Sequence, residues 1–540
     1  MTSRAHLWQQ LKQAEPWDMV VVGGGITGAG VALAAARQGL RVLLLEQQDY
    51  AWGTSSRSSK MVHGGLRYLA QGDINLTRHS LQEREYLIRA LPGLVAPMGY
   101  YYVLGRKAPP RFAVKILLSF YDWFAGIDNH KYVSRPNLSS AVPGLNLAQV
   151  SGAYYYTDAV TDDSRLVQRV IGEAKLAGAH CLNYVKVVNF ETDQSNDDPG
   201  QGVAIDVVDQ CTGDALTLRA AVLVNATGAW ADRLRNRVNP EVRVRPQRGS
   251  HILVTRERLA VEAALTLMHP VDGRYHFIYP WGGKTVIGTT DLDHKTDLDQ
   301  EACLNAEEQN YLLLAANYAF PQAKLTCADI VSTWSGVRPI IASDNAKDPS
   351  KERRDHAVWV DGSLITVSGG KLTTFRLIAL DVLAAVAKIT GKCGGKAELD
   401  QLKAHYFNPL SVTVTELEGC GAPLAAQYLA RYGDDAKGLI DTCVSEARQH
   451  EFAPLLDTHY SLADLRWALR YEQVVHLDDL LLRRTHLGLS LAHGAEQLFP
   501  ALKILCQEEL FWSEADWQLE LARYQTIVKK YYSTAAIDEL

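Results

Sequence analysis

Three glycines at fixed spacing, Gly23, Gly25 and Gly28, sit between the β-rich run Met19-Val-Val-Val22 and a helical stretch from Ala29 to Gln38. In such a place the first glycine permits a tight turn, the second lets the backbone approach a pyrophosphate, and the third lets helix pack close to strand. The helix N-terminus offers free N–H groups and a partial positive charge to the phosphates. A second strand, Arg41-Val-Leu-Leu-Leu45, ends at Glu46, whose carboxylate is placed to accept hydrogen bonds from a ribose diol. Strand, turn, helix, strand and acid agree within about thirty residues, so dinucleotide binding is the expected chemistry. A segment dense in donors follows, Thr54-Ser55-Ser56-Arg57-Ser58-Ser59-Lys60 through Met61-Val-His63-Gly-Gly-Leu-Arg67-Tyr68. Beside a dinucleotide fold, so many donors point to ligand contacts rather than to a solvated loop.

The elements that must carry these residues follow from periodicity and breakers. Residues 1 to 16 read as a polar helical leader, and Asp73 to Leu91 as a helix with Asp73 as N-cap and Pro92 just past its end. Tyr184 to Phe190 and Val203 to Val208 read as a hairpin. Ala221 to Asn225 is a short strand leading into Ala226-Thr227-Gly228. Leu364 to Val367 is another, and Gly369-Gly370-Lys371 then opens a helix running to about Ile389. Flavin enzymes place their first dinucleotide unit early and return to the same sheet late. Both conditions hold here, so FAD is the expected dinucleotide. A helix start at Gly369-Gly370 would stabilise negative charge developing on a reduced flavin ring. From Ser250 to Thr290 several β-type runs suggest an antiparallel sheet, and beyond Lys396 the pattern is mostly helical, with a capping box at Ser461-Leu-Ala-Asp464.

Composition closes off other classes. Hydrophobic residues are 47% and charged residues 21%, ordinary for a folded chain. With 55 Lys and Arg against 61 Asp and Glu, the net charge of -6 disfavours nucleic acid as a partner. Eight scattered cysteines form no CxxC pair, so no metal site is expected and a reducing cytoplasm fits. The uncharged window Met19 to Ala36 is glycine-broken and reads as the turn already described, not as a span. One segment suits a helix lying in a membrane interface: Pro109-Pro-Arg111-Phe-Ala-Val-Lys115 continuing to Phe124, with Phe112, Ile116, Phe120 and Trp123 or Phe124 on one face. A buried helix of an ordinary domain is the competing reading.

The chain resembles the FAD-dependent glycerol-3-phosphate dehydrogenases, within the flavoprotein group that includes glycine and D-amino acid oxidases. The stretches that carry the resemblance are Gly23-Gly-Gly-Ile-Thr-Gly-Ala-Gly30, Thr54-Ser-Ser to Lys60, His63-Gly-Gly-Leu-Arg-Tyr-Leu69 and Asn225-Ala-Thr-Gly228. Further ones are Arg248-Gly-Ser-His251, Ile287-Gly-Thr-Thr-Asp291, Ser335-Gly-Val-Arg-Pro339 and Ser368-Gly-Gly-Lys-Leu-Thr-Thr374. It covers about residues 17 to 390 and continues patchily through Asp478-Asp and Arg483-Arg-Thr485.

The resemblance implies a Rossmann-type FAD-binding domain (17–92, 151–245 and 360–390) interleaved with an antiparallel-sheet substrate or cap domain (93–150 and 246–359, including the helix 111–124). A C-terminal helical domain (400–540) follows. It implies oxidation of sn-glycerol 3-phosphate to dihydroxyacetone phosphate. By the same resemblance, hydride would pass to flavin N5, and electrons would pass to a membrane quinone from a cytoplasmic protein held on the inner membrane face. FAD would be held by Gly23, Gly25, Gly28, Glu46, Thr54, Ser55, Ser56, Ser59, Lys60, His63, Gly228, Gly369 and Gly370. The substrate would meet Arg67, Tyr68, Arg354, Lys371 and Thr374, with Arg338 and His251 at the reacting centre. Arg353 is an alternative to Arg354, and His63 competes with His251 as the base. Two other readings stand beside this one: a soluble oxidase that passes electrons to oxygen, and a flavin-binding scaffold without catalysis. Thr27 stands where the family pattern has Asn. A homodimer is compatible with this reading.

Overall fold

The computed structural model describes residues 4–66, 69, 72–105, 108–192, 202–342, 355–393 and 395–535. Two sheets organise them. The first runs in the order His356–Asp361, Leu364–Gly369, Ala215–Asn225, Trp17–Val22, Val42–Leu45, His180–Leu182. All neighbours are parallel except the His356–Asp361 edge, which is antiparallel. The central strands are buried runs of Val, Leu and Met, as parallel strands covered on both faces must be. Helices Ile26–Arg37, Asp163–Leu176 and Phe375–Thr390 cover one face. The expected hairpin is present: Val185–Thr192 pairs antiparallel with Val203–Asp209, which continues onto Ala215–Asn225. Asp73 caps helix Ile74–Ala90 by accepting from Leu76 N, and the Ser461–Asp464 capping box opens Leu462–Tyr471.

The second sheet has ten strands and packs into two hydrophobic clusters, one of which it shares with Leu465, Leu480, Leu502 and Tyr524 of the helical region. It is mixed rather than purely antiparallel, because Ala264–Met268 lies parallel to Val95–Gly105. Strand Val150–Thr161 pairs with Val95–Gly105 over most of its length, so the expected boundary at 151 moves to about 161. At the other end His356–Asp361 belongs to the first sheet, so the cap stretch stops before 356. A pairing partner distant in sequence decides both corrections; neither strand's own pattern says which sheet it joins.

The helical remainder is bolted to the first sheet by buried charge. Asp49 accepts from Arg483 Nε at 2.6 Å and from Arg484 Nη1 and Nη2 at 2.6 and 2.7 Å, with all three side chains almost wholly buried. The leader is packed too: Leu7, Trp8 and Leu11 of helix Arg4–Leu11 are buried, and Arg4 pairs with Asp209 at 2.8 Å. No helix among the described residues is long and apolar enough to cross a membrane.

Candidate active site

The first cavity, about 370 Å³, opens at the C-terminal ends of the parallel strands. Its wall includes Gly23, Gly25, Ile26, Glu46, Thr54, Ser55, Gly228, Gly369 and Gly370. This is where an open parallel sheet whose order reverses about its first strand collects ligands. Gly23 has φ 113°, and a Cβ there would lie 2.5 Å from Ala226 O. A Cβ on Gly28 would lie 1.9 Å from Gly23 O, so helix and strand approach as closely as backbones can. Glu46 takes Gly24 N–H on Oε2 at 2.7 Å and Gln48 N–H on Oε1 at 2.8 Å, leaving each oxygen further acceptor capacity. Burial raises its pKa, more than those two N–H groups lower it. Ser55 Oγ accepts from Ile26 N at 3.0 Å, tying the donor segment to the helix start. A glycine cradle, a helix N-terminus and an acid at the second strand's end fit an adenine dinucleotide.

The second cavity, about 720 Å³, lies between the sheets. Thr54, Ser58, Pro339, Gly370, Lys371 and Leu372 line both cavities and so form the junction between them. His63, Ser59, Thr289, Asp291 and Arg338 line the second. Arg338 donates from Nη1 to Asp291 Oδ1 and from Nη2 to Thr289 Oγ1, both at 3.0 Å, with its side chain 20% exposed. Lys371 Nζ donates to Ser80 Oγ at 3.2 Å. Two cations thus converge on a cavity whose other walls include Tyr100, Tyr102, Tyr156, Leu66 and the helix residues Ala113, Val114 and Leu117.

His251 is buried and lines neither cavity. Its ring stacks on Trp334, with centroids 4.9 Å apart, and Nε2 lies 2.9 Å from Ser59 Oγ. Nδ1 has no hydrogen-bond partner among the described residues. Its pKa falls well below the ordinary histidine value through burial, then through Arg338 and Lys60, so the ring is neutral near pH 7. His251 therefore meets the cavity only by way of Ser59, whereas His63 stands in its wall.

Four expected contacts fall elsewhere. Ser56 and Lys60 line neither cavity. Lys60, in the left-handed region at φ 56°, turns its side chain inward. Its Nζ donates to Ser56 O at 2.8 Å and to Asp163 Oδ1 at 2.6 Å, in a fully buried pair. Asp163 Oδ2 also accepts from Ser58 N and Ser58 Oγ at 2.9 and 2.7 Å, so the pair holds the donor loop from behind. Gly28 acts through packing and is absent from the cavity wall. Thr374 lies in the single 3₁₀ turn Leu372–Thr374, where successive residues rotate by about a third of a turn. Leu372 and Thr373 thereby face the second cavity, and Thr374 faces a different one beside His356 and Asp381. Arg67, Tyr68, Arg353 and Arg354 lie outside the described residues. Asp291 and Thr289, which hold Arg338, were not singled out from the sequence, although they stand inside a motif that was.

Comparisons with known proteins place this fold in a family. Residues 18–379 match the model of the FAD dependent oxidoreductase family, and residues 387–517 match that of the C-terminal domain of alpha-glycerophosphate oxidase. The aerobic glycerol-3-phosphate dehydrogenase of Staphylococcus aureus (strain MRSA252) is 32% identical over 511 residues, covering 89% of this chain and 88% of that protein. The glycerol-3-phosphate dehydrogenase from Bacillus halodurans, solved with FAD, superposes with a TM-score of 0.75 at 27% identity, covering 97% of this chain and 96% of the other. The L-alpha-glycerophosphate oxidase from Mycoplasma pneumoniae, with a TM-score of 0.56 at 18% identity over 69% of this chain and 95% of that one, shares the fold.

Proposed function

The chain belongs to the FAD-dependent glycerol-3-phosphate dehydrogenase family, and from that premise we propose that it oxidises sn-glycerol 3-phosphate to dihydroxyacetone phosphate and delivers the electrons to a membrane quinone. The observation that carries the substrate reading is the convergence of Arg338 and Lys371 on a cavity joined to the dinucleotide cavity through Thr54, Ser58, Gly370 and Leu372. A phosphate monoester needs such cations: a guanidinium can grip it with two N–H groups, and an ammonium acts as a point charge.

Bound FAD would supply the hydride acceptor. The chain's own residues do the rest. Gly23, Gly25 and the N-terminus of Ile26–Arg37, which line the first cavity, would receive the pyrophosphate, and Glu46 would accept from the ribose. Arg338 and Lys371 bind and orient the phosphate, with Asp291 and Thr289 holding the guanidinium plane. The C2 hydroxyl proton is taken by His63, which stands in the cavity wall, and His251 bears on that site through the Ser59 hydroxyl.

The quinone and membrane part of the reading is supported by helix Arg111–Ala125. Phe112, Ile116, Phe120 and Trp123 are 69%, 54%, 50% and 72% exposed on one face, while Val114, Leu118 and Tyr121 are buried on the other. The same helix walls the second cavity with Ala113, Val114 and Leu117, so its exposed apolar face, of the kind that suits a membrane interface, stands next to the site. Anaerobic addition of glycerol 3-phosphate should bleach the flavin, and glycerol should not. Failure to bleach would overturn the reading. Vesicles with anionic lipid should bind the protein and stimulate quinone reduction, and Phe120→Glu should abolish binding while leaving bleaching intact. A wild type that ignores vesicles and reacts fast with oxygen would instead be a soluble oxidase.

A further inference from the structure

The donor loop, residues 54–60, is gripped from three directions. Behind it stands the Lys60–Asp163 pair. From the second sheet, Trp334 Nε1 donates to Ser58 O at 3.0 Å, Tyr279 Oη donates to Ser59 O at 2.8 Å, and Thr54 Oγ1 donates to Val337 O. The third grip comes from far along the chain. Arg57 Nε and Nη2 donate to Tyr532 Oη at 3.1 and 3.0 Å, and Nη2 lies 2.7 Å from Glu301 Oε2. Tyr532 Oη donates in turn to Glu301 Oε2 at 2.8 Å. Arg57 Nη1 donates to Trp52 O at 2.5 Å. Arg57, Glu301 and Tyr532 are all more than nine-tenths buried.

Arg57 contributes to the wall of the second cavity, but every nitrogen of its guanidinium already has a partner and Glu301 offsets its charge. It is therefore poorly suited to grip a phosphate and well suited to fix the loop. Its neighbours Thr54 and Ser58 line both cavities, at the junction between the dinucleotide site and the second cavity. Tyr532 closes the turn Val528–Tyr532, and the chain then runs along the cap: Ser533 O accepts from Thr333 Oγ1 at 3.1 Å, and Ala535 N donates to Gln309 Oε1 at 3.0 Å. This stretch lies beyond residue 517, where the second family match ends.

We propose that Tyr532 is a positioning residue for the flavin loop, acting through Arg57 and Glu301, so that the segment 528–535 sets how tightly FAD is held. The inference depends on FAD binding alone and not on the identity of the substrate. Removing the hydroxyl leaves Arg57 Nε without its acceptor in a buried place and Nη2 with Glu301 alone, and the loop carrying Thr54 and Ser58 loosens. The test is the rate of FAD release from the holoprotein on dilution, together with the visible flavin spectrum, for Tyr532→Phe and Glu301→Gln. Tyr532→Phe keeps the ring and its packing. Each variant should release FAD roughly tenfold faster, as expected for loss of a hydrogen bond to a charged group, with a shifted flavin spectrum. Wild-type release and spectrum in both variants, even with a lowered Tm, would make Tyr532 a packing residue only and overturn the proposal. Should Tyr532→Phe fail to fold, Glu301→Gln decides by the same two readings.

Discussion

The two cavities that meet at Thr54, Ser58 and Gly370 are built on different principles. The first is made of backbone: Gly23 and Gly28 allow atoms to approach where any Cβ would collide, and Glu46 is itself held by main-chain N–H groups. The second is made of side chains, with its charges held in pairs: Arg338 with Asp291 and Arg57 with Glu301 at the wall, and Lys60 with Asp163 behind it. A backbone site is sensitive to volume and indifferent to most side-chain chemistry. A paired-charge site is sensitive to which ion remains when its partner is removed.

The largest expected effect tests the charge half of this contrast. Arg338→Ala leaves Asp291 facing the cavity without its guanidinium, a loss of about 2–5 kcal/mol for a buried pair. Flavin reduction by glycerol 3-phosphate should fall roughly 30- to several-thousand-fold in kcat/KM, with FAD still bound. Stopped-flow bleaching measures it, and wild-type kinetics would remove Arg338 from the site. Next is volume: Gly28→Ala adds a single methyl where the nearest atom would be 1.9 Å away. FAD affinity should drop on the order of 100-fold, the upper range for overpacking. Titration of FAD into the variant checks this, and unchanged affinity would mean that helix and strand can separate at little cost.

Smaller again is Glu46→Ala, where loss of a charge-assisted hydrogen bond predicts roughly 10- to 100-fold weaker FAD retention. Equal retention by Glu46→Ala and wild type would show that the first cavity works by backbone alone.

The smallest effect concerns His356, whose Cβ lies beside Gly370 but which lines neither cavity. Burial would lower its pKa, but Asp355 and Asp381 outweigh that and raise it to about 9. A pKa raised by folding means that the protonated ring stabilises the fold. The contribution is complete below about 6.5 and is lost as pH rises through about 9. Between pH 7 and 10 the Tm of the wild type should fall more steeply than that of His356→Gln. Parallel curves would show that the ring is not coupled to stability. Since both carboxylates are well exposed, solvent keeps the difference small.

The sequence by itself determined whatever depends on neighbours a few residues away. The turn at Gly23-Gly-Gly25, the helix behind it, Glu46 at the end of its strand, and the caps at Asp73 and Ser461 all obey local rules of φ, periodicity and hydrogen bonding. Motif identity extended this to Arg338 and Lys371, which do meet in one cavity although thirty-three positions apart. Only the tertiary structure decided which way each side chain of a motif points and what stands opposite it. Lys60 turns to Asp163, Thr374 turns from the cavity that Thr373 faces, and His251 is screened by Ser59. The strand Val150–Thr161 joins the second sheet because Val95–Gly105 is there to pair with it. Tyr532 reaches Arg57 across 475 positions. A residue's type limits which bonds it can make. Its partner is set by how the two sheets and the helical region close on one another, and no local pattern along the chain records that closure.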